Sequence, residues 1–256
     1  MAGKYYVVWE GRSTGIFTDW NTCKKQVDGF PGAKYKSFKT HKEAEAAFGK
    51  KPAYSGKKKS VEGKTKAPSK STLPTLDSKQ VAKEPADIKI FTDGACDPNP
   101  GKAGSGIAIY RKNSISELWY GIYNSAGTNN TAELNALYQA LMISKSELEA
   151  GNSVAVFCDS KYSIQCVTQW ASSWEKKGWK KSGGEIKNLE LIKEMHTLYQ
   201  SIKGKAQVFH VNGHVGIEGN ELADRMSILA IGTQEENFCL YREKIDIKQI
   251  LSMRAG

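Results

Sequence analysis

Four acidic residues stand where an isolated carboxylate would be costly. Asp93 directly follows the apolar run 88–92, Glu133 opens a helical pattern, Asp159 ends the apolar run 154–158, and Asp224 lies within the helical pattern 220–231. Taken singly, each has an ordinary role: Asp93 and Asp159 as helix caps, Glu133 as an acid at the positive end of its helix dipole. Taken together, two adjacent central strands and two helices passing near their ends can deliver four carboxylates to one point. Such a cluster repels itself unless it holds a cation. An oxygen donor set with no cysteine and at most one histidine favours Mg²⁺ or Mn²⁺ over zinc.

The elements that must position these acids follow from periodicity. Residues 88–92, 104–111 and 116–124 are strands, and the turn-rich joints between them make an antiparallel meander the simplest arrangement. Leu134, Leu137, Leu141 and Leu148 predict a helix over 131–148, and 154–158 is a strand of the fully buried type. Helical spacing returns over 160–170 and 189–202; a strand at 207–211 precedes the last clear helix, 220–231. Strands first and alternating helices and strands afterwards predict an α/β fold, a mixed sheet with helices on its faces. Nearer the N-terminus, 5–9 alternates as a strand, 11–15 turns, 20–27 is helical behind the caps Thr18 and Asp19, and 41–48 is a second short helix. From 49 to 87 Lys, Ser, Pro, Thr and Gly dominate, which predicts a flexible linker because so few apolar groups cannot offset ordering. The tail 232–256 has a short helical pattern at 245–251 and no readable motif.

The 256 residues are 39% hydrophobic and 25% charged, an ordinary globular composition with a net charge of +10. That charge is localised: 1–48 carries +3, 49–87 carries +6, and 88–256 only +1. A basic first third is either a solvated, solubility-giving lysine run or a footprint for a polyanion, and composition alone leaves both open. No run approaches a membrane span, Met1 to Tyr6 lacks the pattern of a secretory signal, and five cysteines without zinc or disulfide spacing suit reduced thiols. A cytoplasmic protein without a membrane partner is expected, with nuclear or organellar addresses left open.

At this point the sequence resembles the type 1 ribonucleases H. The resemblance is carried by Phe91-Thr92-Asp93-Gly94-Ala95-Cys96 with Asn99-Pro100-Gly101, by Thr128-Asn129-Asn130-Thr131-Ala132-Glu133-Leu134, by Cys158-Asp159-Ser160-Lys161-Tyr162, and by Gly213-His214-Val215-Gly216 with Gly219-Asn220-Glu221-Leu222-Ala223-Asp224. It implies a ribonuclease H-like mixed five-stranded sheet flanked by helices over 88–231. It also implies Asp93, Glu133, Asp159 and Asp224 as ligands of two Mg²⁺ ions, with Mn²⁺ as the alternative, and cleavage of the RNA strand of RNA/DNA hybrids to 5′-phosphate and 3′-hydroxyl ends. His214, on a glycine-bracketed loop, is implied as a mobile proton carrier that assists product release or metal exchange rather than a rigid ligand. Asn99, Asn129 and Asn130 are implied groove and 2′-hydroxyl contacts, and Thr128 and Asn188 a phosphate grip on the DNA strand. Members often have Arg where Thr131 stands and Gln or Met where Lys161 stands.

The segment Trp170 to Lys181 resembles the family's basic protrusion, which implies DNA-strand contacts by Trp170, Trp174, Trp179, Lys176, Lys177, Lys180 and Lys181. An amphipathic helix with packed tryptophans and wet lysines is the ordinary alternative. Within a first domain expected over 1–48, residues 4–48 resemble the small αβ hybrid-binding domain found ahead of many members, through Tyr6-Val7-Val8, Gly11 to Phe17, Trp20, Gln26-Val27, Phe30-Pro31 and Ala33 to Phe38. By that likeness Tyr6 and Trp20 pack on DNA sugars and Lys36 meets a phosphate, while Ser37 stands where a second lysine is common. The expected partner is an RNA/DNA hybrid duplex, with no obligate protein partner evident. Three rivals remain: a catalytically silent hybrid-binding protein, a ribonuclease H domain cut from a reverse transcriptase, and a junction-resolving nuclease. The full set of acids, the N-terminal module and the hybrid-binding motifs argue against them in turn.

Overall fold

A computed structural model of the chain describes residues 4–28, 30, 33–48, 73–181 and 184–256, in two compact units, Met1–Pro68 and Ser69–Gly256. Pro31 and the linker residues 49–72 lie outside the described residues. The first unit runs β1 (Tyr5–Glu10), β2 (Gly15–Phe17), α1 (Trp20–Val27), β3 (Lys34–Phe38) and α2 (His41–Phe48), with an antiparallel sheet in the order β2-β1-β3. Asp19 caps α1 as expected, its carboxylate accepting the Thr22 N–H. Alternation along β1 sends Val8 against Cys23 and Val27 of α1, whereas Trp9 turns the other way and donates its indole N–H to Ala47 O of α2. Apolar alternation predicts neither β2 nor β3, because β3 is exposed along almost its whole length.

The second unit runs β4 (Thr75–Leu76), α3 (Ser78–Lys83), β5 (Ile88–Asp97), β6 (Gly101–Arg111), β7 (Ser114–Gly127), α4 (Asn129–Glu149), β8 (Val154–Cys158), α5 (Lys161–Gln165), a π-helical turn (Cys166–Trp170), α6 (Ala171–Lys176), α7 (Leu189–Ile202), β9 (Ala206–Val211), α8 (Glu218–Thr233), β10 (Cys239–Leu240) and α9 (Ile247–Leu251). Its sheet has the order β10-β7-β6-β5-β8-β9-β4. The expected five-stranded mixed sheet is the run β5 to β9, and two-residue strands extend it at both edges. β5, β6 and β7 form the antiparallel meander, while β5, β8, β9 and β4 are parallel.

Period-two alternation divides the central strands between two cores. Ile88, Ile90, Val154 and Val156 face α4 and α7; Phe91, Ala155 and Phe157 face α8. In register across β5, β8 and β9, Phe91 stacks on Phe157 at 4.8 Å and Phe157 on Phe209 at 5.6 Å, a ladder two residues before Asp93, which lies within β5 rather than after it, and Asp159, just past β8. Phe157 is completely buried. Phe157→Ala is therefore expected to cost about 3–5 kcal/mol, checked by urea unfolding, and a change of under 1 kcal/mol would show that the ladder does not hold the strand ends.

Two glycines let helices approach the sheet. A Cβ on Gly94 would lie 2.2 Å from the Glu133 amide nitrogen, and one on Gly106 2.1 Å from Ala223 O. The motif Thr92-Asp93-Gly94 thus brings α4 against β5 beside the acid it carries.

The linker expected over 49–87 needs correcting at its C-terminal end. Thr75 and Leu76 pair with His210 and Val211 of β9, and α3 carries a capping box in which Asp77 and Gln80 satisfy each other's backbone N–H groups. Val81 is buried, and the Lys89 ammonium donates to Val81 O and Ala82 O at the end of that helix. The tail 232–256 is also built into the catalytic unit. β10 pairs with β7, and α9, capped by Asp246, buries Ile250 beside α8. Among the described residues no helix is long and apolar enough to cross a membrane.

Candidate active site

The middle of β5 delivers Asp93, the second turn of α4 delivers Glu133, the residue just past β8 is Asp159, and the middle of α8 delivers Asp224. All four line one cavity of about 520 Å³, together with Asn129 and His214. Asp93, Glu133 and Asp224 are buried and Asp159 half-buried. Burial first, and then the charges of Asp159 and Asp224, push the Asp93 carboxyl well above its ordinary range. Burial likewise raises Glu133, with Asp93 and Asp159 adding to the effect. Asp159 is raised mainly by burial, against the Asn220 amide, which donates to its Oδ2 at 3.3 Å.

The oxygens of this cluster are under-satisfied. Glu133 Oε2 and Asp159 Oδ1 are buried and have no hydrogen-bond partner among the described residues. Buried carboxylates that repel one another and keep orphan oxygens fit a hard divalent cation. Cys158 lies within ligand reach of Glu133 and Asp159, but burial holds its thiol well above the ordinary range, which leaves oxygen as the donor. Two neighbours of the acids are not foreseen as site residues. Ser227 bridges Asp93 Oδ2 at 3.4 Å and Asp224 O at 2.8 Å, and the Arg225 guanidinium pairs with Asp224 Oδ2. Only the position of Arg225 directly after Asp224 could have hinted at it.

His214 is exposed, with a left-handed backbone (φ 53°), on the loop after β9. A second cavity of about 450 Å³ brings Asn99, Thr128, Asn130 and Asn188 together. Thr128 caps α4, its hydroxyl lies 2.8 Å from that of Thr131, and the Thr131 hydroxyl donates to Asn188 Oδ1 at 3.1 Å. Thr131 therefore binds its neighbours, and the cation of this cavity is Lys187, which motif reading passes over. Asn99 accepts the Asn129 N–H at 3.2 Å, tying the turn after β5 to the start of α4.

Asn130, Tyr162 and Lys187 are shared with a third cavity, of about 490 Å³, whose wall includes Trp170, Trp174 and Lys181. The groove is thus continuous from the polar cavity to the protrusion. Lys176, Lys177, Lys180 and Lys181 are exposed, whereas the tryptophans lean on the core beside α7. Trp179 departs from the expectation of a nucleic-acid contact: its ring packs edge-on against His196 at 6.1 Å, with Lys193 5.8 Å from its centroid. A left-handed turn at Gly178 and Trp179 points it back towards α7.

In the first unit Tyr6 and Trp20 meet at 5.5 Å, and Trp20 is joined at 5.9 Å by Tyr35, which the motif reading does not single out. Trp20 and Tyr35 are 40% and 47% exposed, so this is an open aromatic surface. Lys36 does not share it. It pairs with Val7 in the face that turns to α2, and its ammonium lies 5.7 Å from the Phe38 ring. Ser37, opposite Tyr6, is the strand residue on the aromatic face.

Comparison with known proteins bears directly on this geometry. Residues 85–231 match the family model described as RNase H. The chain belongs to the ribonuclease H family. Residues 4–48 match a second model, described as the Ribonuclease H1 N-terminal domain. Ribonuclease H1 of Mus musculus is 33% identical over 256 aligned residues, with 88% of each chain covered. Ribonuclease H of Thermosynechococcus vestitus is 38% identical, covering 53% of this chain and 82% of its own. Among solved structures, LC9-RNase H1, a type 1 RNase H with the type 2 active-site motif, aligns with a TM-score of 0.51 at 22% identity, over 72% of this chain and 84% of that one, which bears on the fold alone. The chain is thus a ribonuclease H enzyme, and residues 232–256 lie beyond both matched models.

Proposed function

We propose that this ribonuclease H hydrolyses the RNA strand of RNA/DNA hybrids at the four-carboxylate site and leaves 5′-phosphate and 3′-hydroxyl ends. The observation that carries the reading is the convergence of Asp93, Glu133, Asp159 and Asp224 on one cavity with two orphan carboxylate oxygens. These four residues would hold two divalent cations, Mg²⁺ or Mn²⁺. When bound, the ions supply activation of the attacking water and charge stabilisation at the leaving 3′ oxygen.

The chain's own groups do the rest. Asn220 and Ser227 hold Asp159 and Asp93 by hydrogen bonds, so the carboxylates are oriented before substrate arrives. Asn99, Asn129 and Asn130 line the cleft where a 2′-hydroxyl could be read, the group that separates RNA from DNA. Thr128, Asn188 and Lys187 suit a DNA phosphate, and Trp170 and Trp174 with the exposed lysines suit the same strand further along. Residues 1–48 act as a hybrid-binding module through Tyr6, Trp20 and Tyr35, with Lys36 serving a phosphate from the other face. An intracellular address goes with this reading, and five free thiols support it.

The test is to incubate a labelled hybrid, an RNA duplex and a DNA duplex with Mg²⁺, then size the products and identify their ends. Cleavage of the RNA in the hybrid alone is expected; equal cutting of the RNA duplex would overturn the substrate assignment. His214 sits on an exposed loop of the same cavity, where its imidazole nitrogen can carry a proton to the leaving oxygen. His214→Ala should therefore lower kcat roughly 10²-fold without abolishing it and with hybrid affinity unchanged. Complete loss of turnover in single-turnover assays would make His214 a ligand or a structural residue.

A further inference from the structure

Residues 252–256 reach into the acid cavity. α9 is fixed by its Asp246 cap and by Ile250, which is 1% exposed. Beyond Ser252 the chain runs along the mouth of the cleft, where Arg254 Nη2 meets Asp97 Oδ2 at 2.5 Å, and then Gly256 donates its backbone N–H to Asp224 Oδ1 at 3.0 Å. A Cβ at position 256 would lie 2.7 Å from that oxygen, so glycine is the residue that lets the amide come this close. Arg254 and Gly256 both line the cavity of the four acids.

Asp224 therefore differs from its partners. Glu133 and Asp159 each keep a buried oxygen with no partner, whereas Asp224 has one oxygen on the Gly256 amide and the other on the Arg225 guanidinium. We infer that residues 252–256 form a strap that competes with a divalent cation for Asp224. This inference rests on the metal reading proposed above. An ion that takes Asp224 Oδ1 must displace the Gly256 amide, and the Arg254–Asp97 pair is exposed enough to open without a large penalty. The strap lowers apparent affinity at one of the two ion positions by the fraction of molecules in which it is open. The position built on Glu133 and Asp159, which the strap does not touch, is unaffected. Ion binding thereby becomes a switch between a closed cleft and one ready for substrate.

Mn²⁺ titration of the full chain, followed by electron paramagnetic resonance, tests this. Wild type should show one tighter and one weaker site. Removing residues 253–256 should tighten the weaker site by roughly tenfold and leave the tighter one unchanged. Gly256→Ala, which sets a methyl against the Asp224 oxygen, should do the same. Hydrogen exchange on the unmodified protein is a second readout that needs no variant: the Gly256 amide should be protected in EDTA and lose protection in Mg²⁺. Unchanged or weaker Mn²⁺ binding in both variants, or an amide indifferent to Mg²⁺, overturns the strap while leaving the metal site standing. Failure of the wild type to bind Mn²⁺ at all overturns the metal reading, and the strap with it.

Discussion

Asp93→Asn should lower cleavage by on the order of a thousandfold or more, about 4 kcal/mol in the barrier, while hybrid affinity stays within a few fold. The substitution removes a ligand from the acid cavity and leaves the groove of Asn99, Asn130, Asn188 and Lys187 intact. Stability should move the other way. Asp93, Glu133 and Asp159 all have carboxyl pKa values raised in the folded state, by burial first, with neighbouring carboxylates adding to Asp93 and Glu133 most strongly. A group raised above its unfolded value, about 4 for a carboxyl, contributes stability that is full below that pH and is lost as pH climbs through the folded value. The metal-free protein should accordingly weaken from about pH 4 upward. Asp93→Asn should melt higher than the parent in EDTA at neutral pH, and Mg²⁺ should stabilise the parent far more than the variant. Retained turnover in Mg²⁺ removes Asp93 from the ligand set, and identical melting in EDTA removes the argument from buried like charges.

Deletion of residues 1–68 should weaken affinity for long hybrids by roughly tenfold or more at low salt, since it removes 15 basic and 6 acidic residues, a net +9. The plot of log affinity against log salt should become shallower by about 2–3, with each lost phosphate contact worth roughly 0.9 of slope. Single-turnover cleavage of a short hybrid at saturating enzyme should not change, because the acids, the polar groove and the protrusion all lie in the second unit. The cut belongs at 68, since removal of 69–87 would strip β4 from β9 and the carbonyl partners from Lys89. Gel-shift titrations at several salt concentrations decide the matter. Equal affinity and slope for both forms would mean that the first unit does not hold hybrid and that its lysines are only solvated charge.

Asp93, Glu133 and Asp159 were legible because each closes an apolar run or stands near a helix start, a placement that local sequence displays, although β5 continues past Asp93 to Asp97 and Asp224 lies inside α8, where only the motif marks it. The cores were legible for the same reason: Ile88, Ile90, Val154 and Val156 alternate with residues bound for the other face. What was hidden depends on partners far along the chain. α3 has one buried anchor, Val81, in a lysine-rich stretch, and its other hold is a lysine six residues past its end. Tyr35 sits in an exposed strand without alternation, and only its stacking on Trp20 marks it. Whether Trp179 is platform or core turned on the left-handed backbone at 178 and 179, which residue types do not announce. The π-helical turn at Cys166–Trp170 adds a residue to a helical pattern that still reads as regular. Arg254 and Gly256 reach the acids from outside every motif, across 32 residues of chain between Gly256 and Asp224.

The way the chain enters the second unit also decides where force goes. A pull arriving from residues before 73 meets β4 first, two residues held to β9 and to the His210 ring by a 2.7 Å contact from the Thr75 hydroxyl. It meets α3 next, anchored by its capping box and the Lys89 ammonium. Only after both have peeled away does tension load β5, ten residues long and paired on both sides, where Asp93 sits. β4 and α3 are sacrificial joints in this sense. If the first unit holds one stretch of duplex and the second another, as proposed above, a pull between them should be spent at the sheet edge before it reaches the strand that carries Asp93.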